Sequence, residues 1–481
     1  MHPKAIFSVL GFLLVAVGGL MLLAVVVSLL SGSNDAGILA VTSCLTIITG
    51  FALWLPLRAH TSELAVRDGF VIVSLGWVVA SLFGCLPFFL SGAIPSWTDA
   101  YFETMSGFTT TGASIVANIE ALPAGLLFWR SMTQWIGGLG IILLSVAILP
   151  LLGVGGMQLF QAEVPGVTVE KLTPRIGQTA RILWFVYVLL TAAEITLLMV
   201  GGMSLFDATC HAFTTVSTGG FSTKNASIAH FNSPFIETVI MVFMFLAGTS
   251  FTLHYKALRG KLLSYRRDSE FVFYAGLVVA GTVLVLFGLP QAPGASVIGN
   301  IREAAFQVIS IVTTTGYVTA DYERWALVAQ AILLVMMLVG ACAGSTAGGI
   351  KIVRIQILLR TGWNQMKLLI HPRAVFPVRH NGRRVDTEII VDVLAFFVLF
   401  MTVFVVALLV LIALGMDIMT ALGAVAASMG NIGPGLGTVG PLDNYLHLSV
   451  AAKWVLTFCM LIGRLELFTV LVLFTPAFWR R

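Results

Sequence analysis

The sequence is poor in charge: only 10% of its 481 residues are Asp, Glu, Lys or Arg, whereas 58% are hydrophobic. Soluble domains carry roughly 25% charged residues, because their surface has to be hydrated. A chain of this length with so few charges has too little polar surface to cover a soluble core. The composition therefore excludes a cytosolic enzyme, a secreted disulfide scaffold and a disordered protein, and it predicts a polytopic membrane protein.

Cysteine is also scarce, and several motifs are missing. The five cysteines are scattered and show no CxxC pairing, so we expect neither a disulfide framework nor a zinc site. The absence of an HExxH or Ser/His/Asp arrangement argues against an enzyme. The segment GSTAGGIK lacks the Gly-Lys-Ser/Thr ending of a phosphate-binding loop, so we expect no nucleotide site in this chain. The net charge of only +5 gives no reason to expect a nucleic-acid partner.

Long apolar runs dominate what is present. Runs of about 20 residues are long enough to cross a bilayer as helices. The predicted spans are 5–30, 37–57, 69–91, 124–151, 182–202, 234–254, 270–290, 325–343, 388–415 and 447–477. An even number of spans places both termini on the same side of the membrane.

The distribution of charge predicts which side that is. Most of the 27 Lys and Arg residues lie at the two termini and in the segments 58–68, 152–181, 255–270 and 344–387. The positive-inside rule makes these segments, and therefore both termini, cytoplasmic. The opposite side carries more acidic than basic residues, which would concentrate cations there. Depletion of outer Lys and Arg by the same rule explains this balance equally well, so both interpretations stay open.

Four similar turns follow short, weakly apolar stretches in the outer connections. They read TTTGAS at 109–114, STGGFST at 217–223, TTTGYVT at 313–319 and GNIGPGLG at 430–437. Their equivalent glycines, Gly112, Gly220, Gly316 and Gly433, are about 100 residues apart, as expected of an internal repeat. Stretches too short to span a bilayer are typical of re-entrant segments, and irregular backbone at membrane depth has to be buried in protein or line a watery path.

Acidic residues precede three of the glycines at the same distance: Asp99, Asp207 and Glu303. The fourth repeat has Thr420 at this position, with Asp417 nearby. An acid at the start of a short helix suits the helix dipole and can cap the helix. Direct ion binding by these acids is the alternative.

The turns have the chemistry of a cation pathway. A cation that crosses a membrane exchanges its water shell for oxygen ligands, which rings of backbone carbonyls provide in selective channels. Glycine permits the positive φ that such a backbone requires, and neighbouring hydroxyls add oxygens. Four ordinary re-entrant loops that serve only packing are the alternative. The candidate filter residues are Thr110, Thr111, Gly112, Thr218, Gly219, Gly220, Thr314, Thr315, Gly316, Asn431, Ile432 and Gly433.

The four turns in register resemble those of the TrkH/KtrB superfamily of potassium transporters, whose members are similar to a four-unit potassium channel fused into one chain. The resemblance extends over 69–481, and the spans at 5–57 are similar to the two-helix preface of the TrkH branch. It implies an all-α polytopic membrane protein with four fused helix–pore-loop–helix repeats around a pseudo-fourfold pore, plus that N-terminal preface. The expected boundaries are 1–68 for the preface and 69–155, 156–260, 261–375 and 376–481 for repeats 1 to 4.

The same resemblance implies a function. It implies K⁺ uptake across the cytoplasmic membrane, a homodimer with one pore in each chain, and a cytosolic nucleotide-binding partner of the TrkA type. Only one glycine is common to the four turns, unlike the TVGYG of potassium channels, so discrimination against Na⁺ is expected to be weaker. The basic residues Arg266, Arg267 and those of 351–384 are either topology signals or candidates for docking that partner.

Small residues interrupt the last span of the third repeat in GACAGSTAGGIK, at 340–351. The glycines at helical spacing fit a packing face of the GxxxG type. The other interpretation is a broken helix that forms a movable loop beneath the filter, and the superfamily has a gating loop at this position. The candidate gating residues are Gly340, Gly344, Ser345, Thr346, Gly348, Gly349 and Arg464.

Arg464 lies near the middle of the last predicted span, in LIGRLELF. A charge at this depth costs several kcal/mol unless it faces protein or water. Pairing with Glu466 or with loop carbonyls would satisfy it. We prefer a position beside the pore, where a fixed positive charge opposes cations; the superfamily has such an arginine.

Other functions remain as alternatives. Within transport, the alternative is a symporter that couples K⁺ to H⁺ or Na⁺. An intramembrane enzyme would need a catalytic pair at depth, and Glu194, Asp392, Arg464 and Glu466 do not form a recognisable one. A receptor or a purely structural role would leave the fourfold repeat unexplained.

Overall fold

The computed structural model describes residues 1–58, 65–144, 176–290 and 296–480. Within these ranges the chain is a helical membrane protein whose helices are grouped into a pair and four similar units. The pair consists of α1 (Pro3–Ser31) and α2 (Ala36–Leu57). The predicted cytoplasmic segment 152–181 lies largely outside the described residues, as does the predicted boundary at 155.

Each unit contains a long first helix, a short helix, a turn and a second helix. The first unit has α3 (Val66–Gly84), α4 (Leu86–Leu90), α5 (Trp97–Phe108) and α6 (Ala124–Leu144). The second has α7 (Ile176–Val200), α8 (Leu205–Val216), α9 (Pro234–Ala247) and α10 (Phe251–Leu258). The third has α11 (Ser264–Arg267), α12 (Ser269–Leu286), α13 (Val297–Val312), α14 (Leu327–Val339) and α15 (Ile352–Ile370). The fourth has α16 (Thr387–Ala413), α17 (Ile418–Gly430), α18 (Val450–Arg464), α19 (Phe468–Leu471) and α20 (Pro476–Trp479).

Fewer straight spans are present than the apolar runs predict. In the described part of the chain, six helices are long and apolar enough to cross a membrane, or up to eight if two bent helix pairs each count as one span. The predicted span 325–343 is the short helix α14, which ends where Gly340 takes a φ of 74°. Helix α6 runs to the edge of the described residues, so the end of the predicted span 124–151 lies outside them.

A small hairpin separates α15 from α16. Strand β1 (Arg379–His380) pairs in antiparallel register with β2 (Arg383–Arg384). The turn between them is Asn381-Gly382, and both residues have positive φ, as tight hairpin turns require. These are the strands found among the described residues, and the apolar runs gave no sign of them.

The four units are arranged in a ring. Each short helix packs against the second helix of the preceding unit: α8 against α6, α13 against α9, and α17 against α14. The first short helix, α5, packs against α18 of the fourth unit, which closes the ring. The turns at the ends of the four short helices are therefore held around one axis.

The N-terminal helix pair is joined to the first unit by Asp35. Its carboxylate accepts hydrogen bonds from the backbone N–H of Leu126, at 2.8 Å, and from the Ser33 hydroxyl, at 2.6 Å. Leu126 lies in the first turn of α6, whose N–H groups have no partner inside the helix. Asp35, which lies in the turn between α1 and α2, thus caps α6.

Replacing Asp35 by alanine is expected to lower the melting temperature of the detergent-solubilised protein. The substitution leaves the buried Leu126 N–H without its acceptor, which costs about 1–3 kcal/mol. Asp35→Asn should cost less, because its amide oxygen can still accept this hydrogen bond. The same melting temperature for Asp35→Ala and the unmodified protein would contradict the assignment.

Candidate functional site

The four turns share an unusual backbone. Each has two residues of positive φ separated by one residue of negative φ. The first of the two is Thr110, Thr218, Thr314 or Asn431, with φ of 50°, 56°, 57° and 54°. The second is Gly112, Gly220, Gly316 or Gly433, with φ of 83°, 74°, 77° and 98°. In a regular strand successive carbonyls point to opposite sides, whereas this alternation lets neighbouring carbonyls point to one side.

The turns also touch one another in cyclic order. A Cβ built on Gly112 would overlap the carbonyl oxygen of Gly219, one built on Gly220 that of Thr315, and one built on Gly316 that of Ile432. A Cβ on Gly433 would lie 2.8 Å from the carbonyl oxygen of Thr111, which returns to the first turn. Each glycine thus faces the residue that precedes the glycine of the next turn. All twelve residues of the candidate filter come together in this ring.

Side chains outside the four turns, which the internal repeat did not identify, form hydrogen bonds with the backbone of the ring. Gln134 of α6 donates from Nε2 to the carbonyl of Gly219, at 2.6 Å, and accepts from the N–H of Phe221, at 3.0 Å. The Tyr445 hydroxyl donates to the carbonyl of Gly433, at 2.7 Å. In the sequence, a polar Gln within the apolar run of α6 could have indicated the contact of Gln134 with the ring. Nothing in the sequence indicated that of Tyr445.

A buried ion pair lies behind the first two turns. Arg130 Nε is 2.7 Å from Glu103 Oε1, and the same arginine donates to the carbonyl of Ser222, at 3.0 Å. Its guanidinium also lies 3.6 Å from the ring centroid of Phe221. Both residues are buried and neutralise each other, so the pair leaves the predicted acidic excess of the outer face unchanged.

The predicted acids Asp99 and Asp207 do lie in the first turns of their short helices, whereas Glu303 lies in the second turn of α13 rather than at its start. The N-caps of α5, α8 and α17 are Ser96, Ser204 and Asp417, whose side chains accept backbone N–H groups. Asp99 lies in the first turn of α5 and pairs with Lys453 Nζ, at 2.6 Å. Asp207 lies in the first turn of α8 and accepts from the Thr223 hydroxyl, at 2.6 Å. These acids favour the helix dipole and fasten neighbouring segments, but they are not the caps.

No carboxylate cluster offers a cation site. Over the described ranges, no group of three or more His, Cys, Asp or Glu side chains is placed to hold a metal ion. The oxygens that the ring residues carry are backbone carbonyls, threonine hydroxyls and the buried amide oxygen of Asn431. This is the ligand type that a dehydrated monovalent cation accepts in a selective pore.

Residues 340–351 form an irregular loop between α14 and α15. Gly340, Gly344 and Gly349 have φ of 74°, 72° and 73°, and Lys351 has 75°. The GxxxG interpretation requires a continuous helix, so it was wrong. Apart from Ala343 and Gly344 the loop is buried, and the N–H groups of Cys342, Ala343 and Gly348 find acceptors, as irregular backbone at membrane depth requires.

This loop contacts parts of the second, third and fourth units, and Arg464 links it to the first. The Thr346 hydroxyl donates to the carbonyl of Val216 at the end of α8, at 2.9 Å, and the Gly348 N–H donates to the Thr314 hydroxyl, at 2.8 Å. Arg464 donates to the carbonyls of Thr346, at 2.6 Å, and Gly137, at 3.3 Å. The loop therefore lies across the ring on the side where the short helices end. Arg464, at the end of α18, is held against it.

Two buried acids hold the ends of the loop. Glu270, at the start of α12, accepts from the N–H groups of Ala343, at 2.7 Å, and Val353, at 3.1 Å. Glu466 pairs with Lys351, at 3.3 Å, and with Arg354, at 2.5 Å. Neither acid was among the candidate gating residues, although Glu466 was noted as buried.

The second helices of two other units are broken at corresponding places. Helices α9 and α10 are bent by 102° at 248–250, and α18 and the segment 468–474 are bent by 113° at 465–467. The backbone N–H of Cys342 donates to the carbonyl of Gly248, and that of Phe251 to the carbonyl of Gly344, both at 3.0 Å. The breaks of the second and third units thus pack together. Neither bend was predicted from the sequence, although the small residues Gly248, Thr249 and Ser250 could have indicated the first of them.

Comparisons with known proteins agree with one another. A protein-family profile, TrkH, described as a cation transport protein, matches residues 37–481. The Trk system potassium uptake protein TrkH of Escherichia coli (strain K12) is 43% identical over 100% of both chains. The Trk system potassium uptake protein TrkG of the same strain is 35% identical over 100% of this chain and 99% of its own. The crystal structure of the potassium transporter TrkH from Vibrio parahaemolyticus matches 100% of both chains with a TM-score of 0.89 and 39% identity.

Proposed function

Because the chain belongs to the TrkH family of cation transport proteins, we propose that it is the membrane component of a Trk-type potassium uptake system, with its four turns as a filter for K⁺. The predicted family membership and helical membrane fold are confirmed by the full-length relatives and by the matching crystal structure. The relatives are named as potassium uptake transporters, which is a non-enzymatic function. The transported ion is K⁺.

The observation that carries the filter proposal is the closed ring of alternating backbone. Four turns with the same two left-handed positions bring carbonyl oxygens to a common axis. The short helices end at these turns, so the negative ends of their dipoles favour a cation there. Packing alone would not require the same two left-handed positions in all four turns.

The loop 340–351 and Arg464 form the proposed gate. The loop crosses the ring beneath the turns, and its hydrogen bonds to Thr314 and Val216 hold it there. The guanidinium of Arg464 adds a positive charge on the same side, which opposes cations until the loop moves. Residues Gly340, Gly344, Ser345, Thr346, Gly348 and Gly349 give the loop its irregular path.

The assembly and its orientation are part of the proposal. Positive-inside charge supports an inner-membrane protein with both termini in the cytoplasm. The repeats are proposed at 69–155, 156–260, 261–375 and 376–481, after the preface 1–68. The family resemblance supports a homodimer and a cytosolic TrkA-type nucleotide-binding subunit, for which the basic residues of 351–384 are a candidate docking site.

Rubidium uptake into liposomes that contain the purified chain tests this function. We expect uptake of labelled rubidium that unlabelled potassium blocks and sodium blocks less. Shortening the loop 340–350 should increase this uptake when no partner subunit is present. Equal uptake of rubidium and sodium would contradict a K⁺-selective filter, and no uptake even with the shortened loop would contradict the pore itself.

A symporter differs from this pore in its driving force. Coupling to H⁺ or Na⁺ requires that a gradient of that ion drives rubidium inward when rubidium itself is at equal concentration on both sides. The same liposomes, prepared with an imposed proton or sodium gradient at zero membrane potential, separate the two mechanisms. We expect no net rubidium uptake under these conditions.

A further inference from the structure

Glu194 is a carboxyl group in a place where an anion is costly. It lies within α7, its side chain is fully buried, and among the described residues neither of its oxygens has a hydrogen-bond partner of good geometry. It belongs neither to the ring of turns nor to the loop beneath them. Nothing in the proposed transport mechanism so far requires an acid at this position.

Within the part of the chain that the structure describes, no positively charged group lies against Glu194. The groups that face it are the hydroxyl of Thr215 and the phenol of Tyr317. Helix α7 packs against α6, α8, α9 and α10. The titratable or charged residues on these helices are Arg130, Asp207, Cys210, His211, Glu237, His254, Tyr255 and Lys256. Two of these residues that could carry a positive charge already have other partners: Arg130 pairs with Glu103, and the His211 ring hydrogen-bonds to the Ser222 hydroxyl.

Burial without a cation selects the neutral form of a carboxyl group. Transfer of an isolated carboxylate into a medium of low dielectric constant is far more costly than transfer of the protonated acid, which is why such groups take up a proton instead. We propose that Glu194 is a proton-binding site and carries a proton in this conformation.

The site is connected to the candidate filter. The Tyr317 phenol is 2.5 Å from the Thr214 hydroxyl and donates to the carbonyl of His211, at 3.0 Å. The carbonyl of Thr214 in turn accepts from the N–H groups of Gly219, at 2.8 Å, and Gly220, at 3.2 Å. A negative charge at Glu194 would draw the hydroxyls of Thr215 and Tyr317 towards it. Release of the proton therefore disturbs the backbone of the second and third turns.

Infrared difference spectroscopy of the reconstituted chain tests whether the proton is present. The Glu194→Gln variant should lack a band of the protonated carboxyl C=O stretch that the unmodified chain shows at neutral pH. Glu237→Gln is the matched control, because Glu237 is paired with Arg302, at 2.7 Å, whereas Glu194 has no such partner among the described residues. A spectrum of Glu194→Gln without any loss in this region would overturn the proposal. If the variant does not fold, the unmodified chain is measured at alkaline pH instead, where the same band should disappear. A spectrum that does not change with pH would overturn the proposal.

Transport gives a second readout, which rests on the proposed function. Rubidium uptake by the unmodified chain should fall at alkaline pH, whereas Glu194→Gln should keep its uptake, because an amide stays neutral. At neutral pH the variant should stay within about twofold of the unmodified chain, since Gln replaces the neutral acid without adding a buried charge. Identical pH profiles would overturn the connection to the filter, whatever the infrared result. Failure of the proposed transport function would abolish uptake but leave the infrared band in place, so the two failures are distinguishable.

Discussion

Replacing Gly316 by alanine is expected to abolish the preference of the protein for rubidium over sodium. Gly316 has a φ of 77°, and its Cβ would overlap the carbonyl oxygen of Ile432 and lie 2.8 Å from Pro434 Cδ. The left-handed conformation costs a residue with a side chain roughly 1–2 kcal/mol, before any overlap is counted. The third and fourth turns therefore have to move apart, which breaks the ring of carbonyls. We expect rubidium uptake to fall by at least about tenfold, which corresponds to 1.4 kcal/mol.

Gly276→Ala is the matched control for this substitution. Gly276 lies in α12, its φ is not positive, and a Cβ there would meet no atom within 4 Å. Its rubidium uptake and its preference over sodium should equal those of the unmodified chain. Unchanged selectivity in Gly316→Ala, measured on protein with normal gel-filtration behaviour, would remove Gly316 from the filter.

Replacing Glu270 by alanine is expected to increase uptake when no partner subunit is present. Glu270 accepts two backbone N–H groups at the two ends of the loop 340–351. Each of these hydrogen bonds contributes about 0.5–1.5 kcal/mol, and removing them destabilises the closed arrangement of the loop but not the open one. When the loop moves, water can satisfy the same N–H groups. The balance between closed and open forms should therefore shift towards the open form by at least about tenfold.

The matched variant for this test is Glu270→Gln. The amide oxygen of Gln can accept the same two N–H groups, so uptake should remain close to that of the unmodified chain. A structural role for Glu270 alone predicts less uptake in Glu270→Ala, through loss of folded protein, and never more. Lower uptake in Glu270→Ala together with higher uptake in the shortened-loop chain would show that the loop gates the pore but that Glu270 does not hold it.

The position of the turns could be predicted from the sequence because each turn is a local feature that occurs four times. The second left-handed position of each turn favours glycine, and this preference comes from the nearby backbone alone. The interruption at 340–351 was visible for the same reason, since a run of small residues weakens a helix wherever it stands. The bends at 248–250 and 465–467 were missed because each contains only three residues inside an otherwise apolar run.

The supporting contacts could not be predicted, because they join residues that are distant in the sequence. Gln134 reaches a turn 85 residues further on, and Arg464 reaches a loop carbonyl 118 residues earlier. Glu270 looked like an ordinary acid at the start of a helix. The burial of the Arg130–Glu103 pair was also invisible, because charge counting assigns every charged residue to a surface.

The closure of the ring has a consequence for the synthesis of the protein. The contact that completes it joins Asn431 Nδ2 to the Thr111 hydroxyl, at 2.9 Å and across 320 residues. The ribosome makes the first turn long before its neighbour in the fourth unit exists. Until then the polar backbone of that turn must be kept in contact with water or with another protein, because lipid offers it no hydrogen bonds. A chain that is cut short before the last unit would therefore leave the first turn at membrane depth without the neighbour that completes its hydrogen bonds.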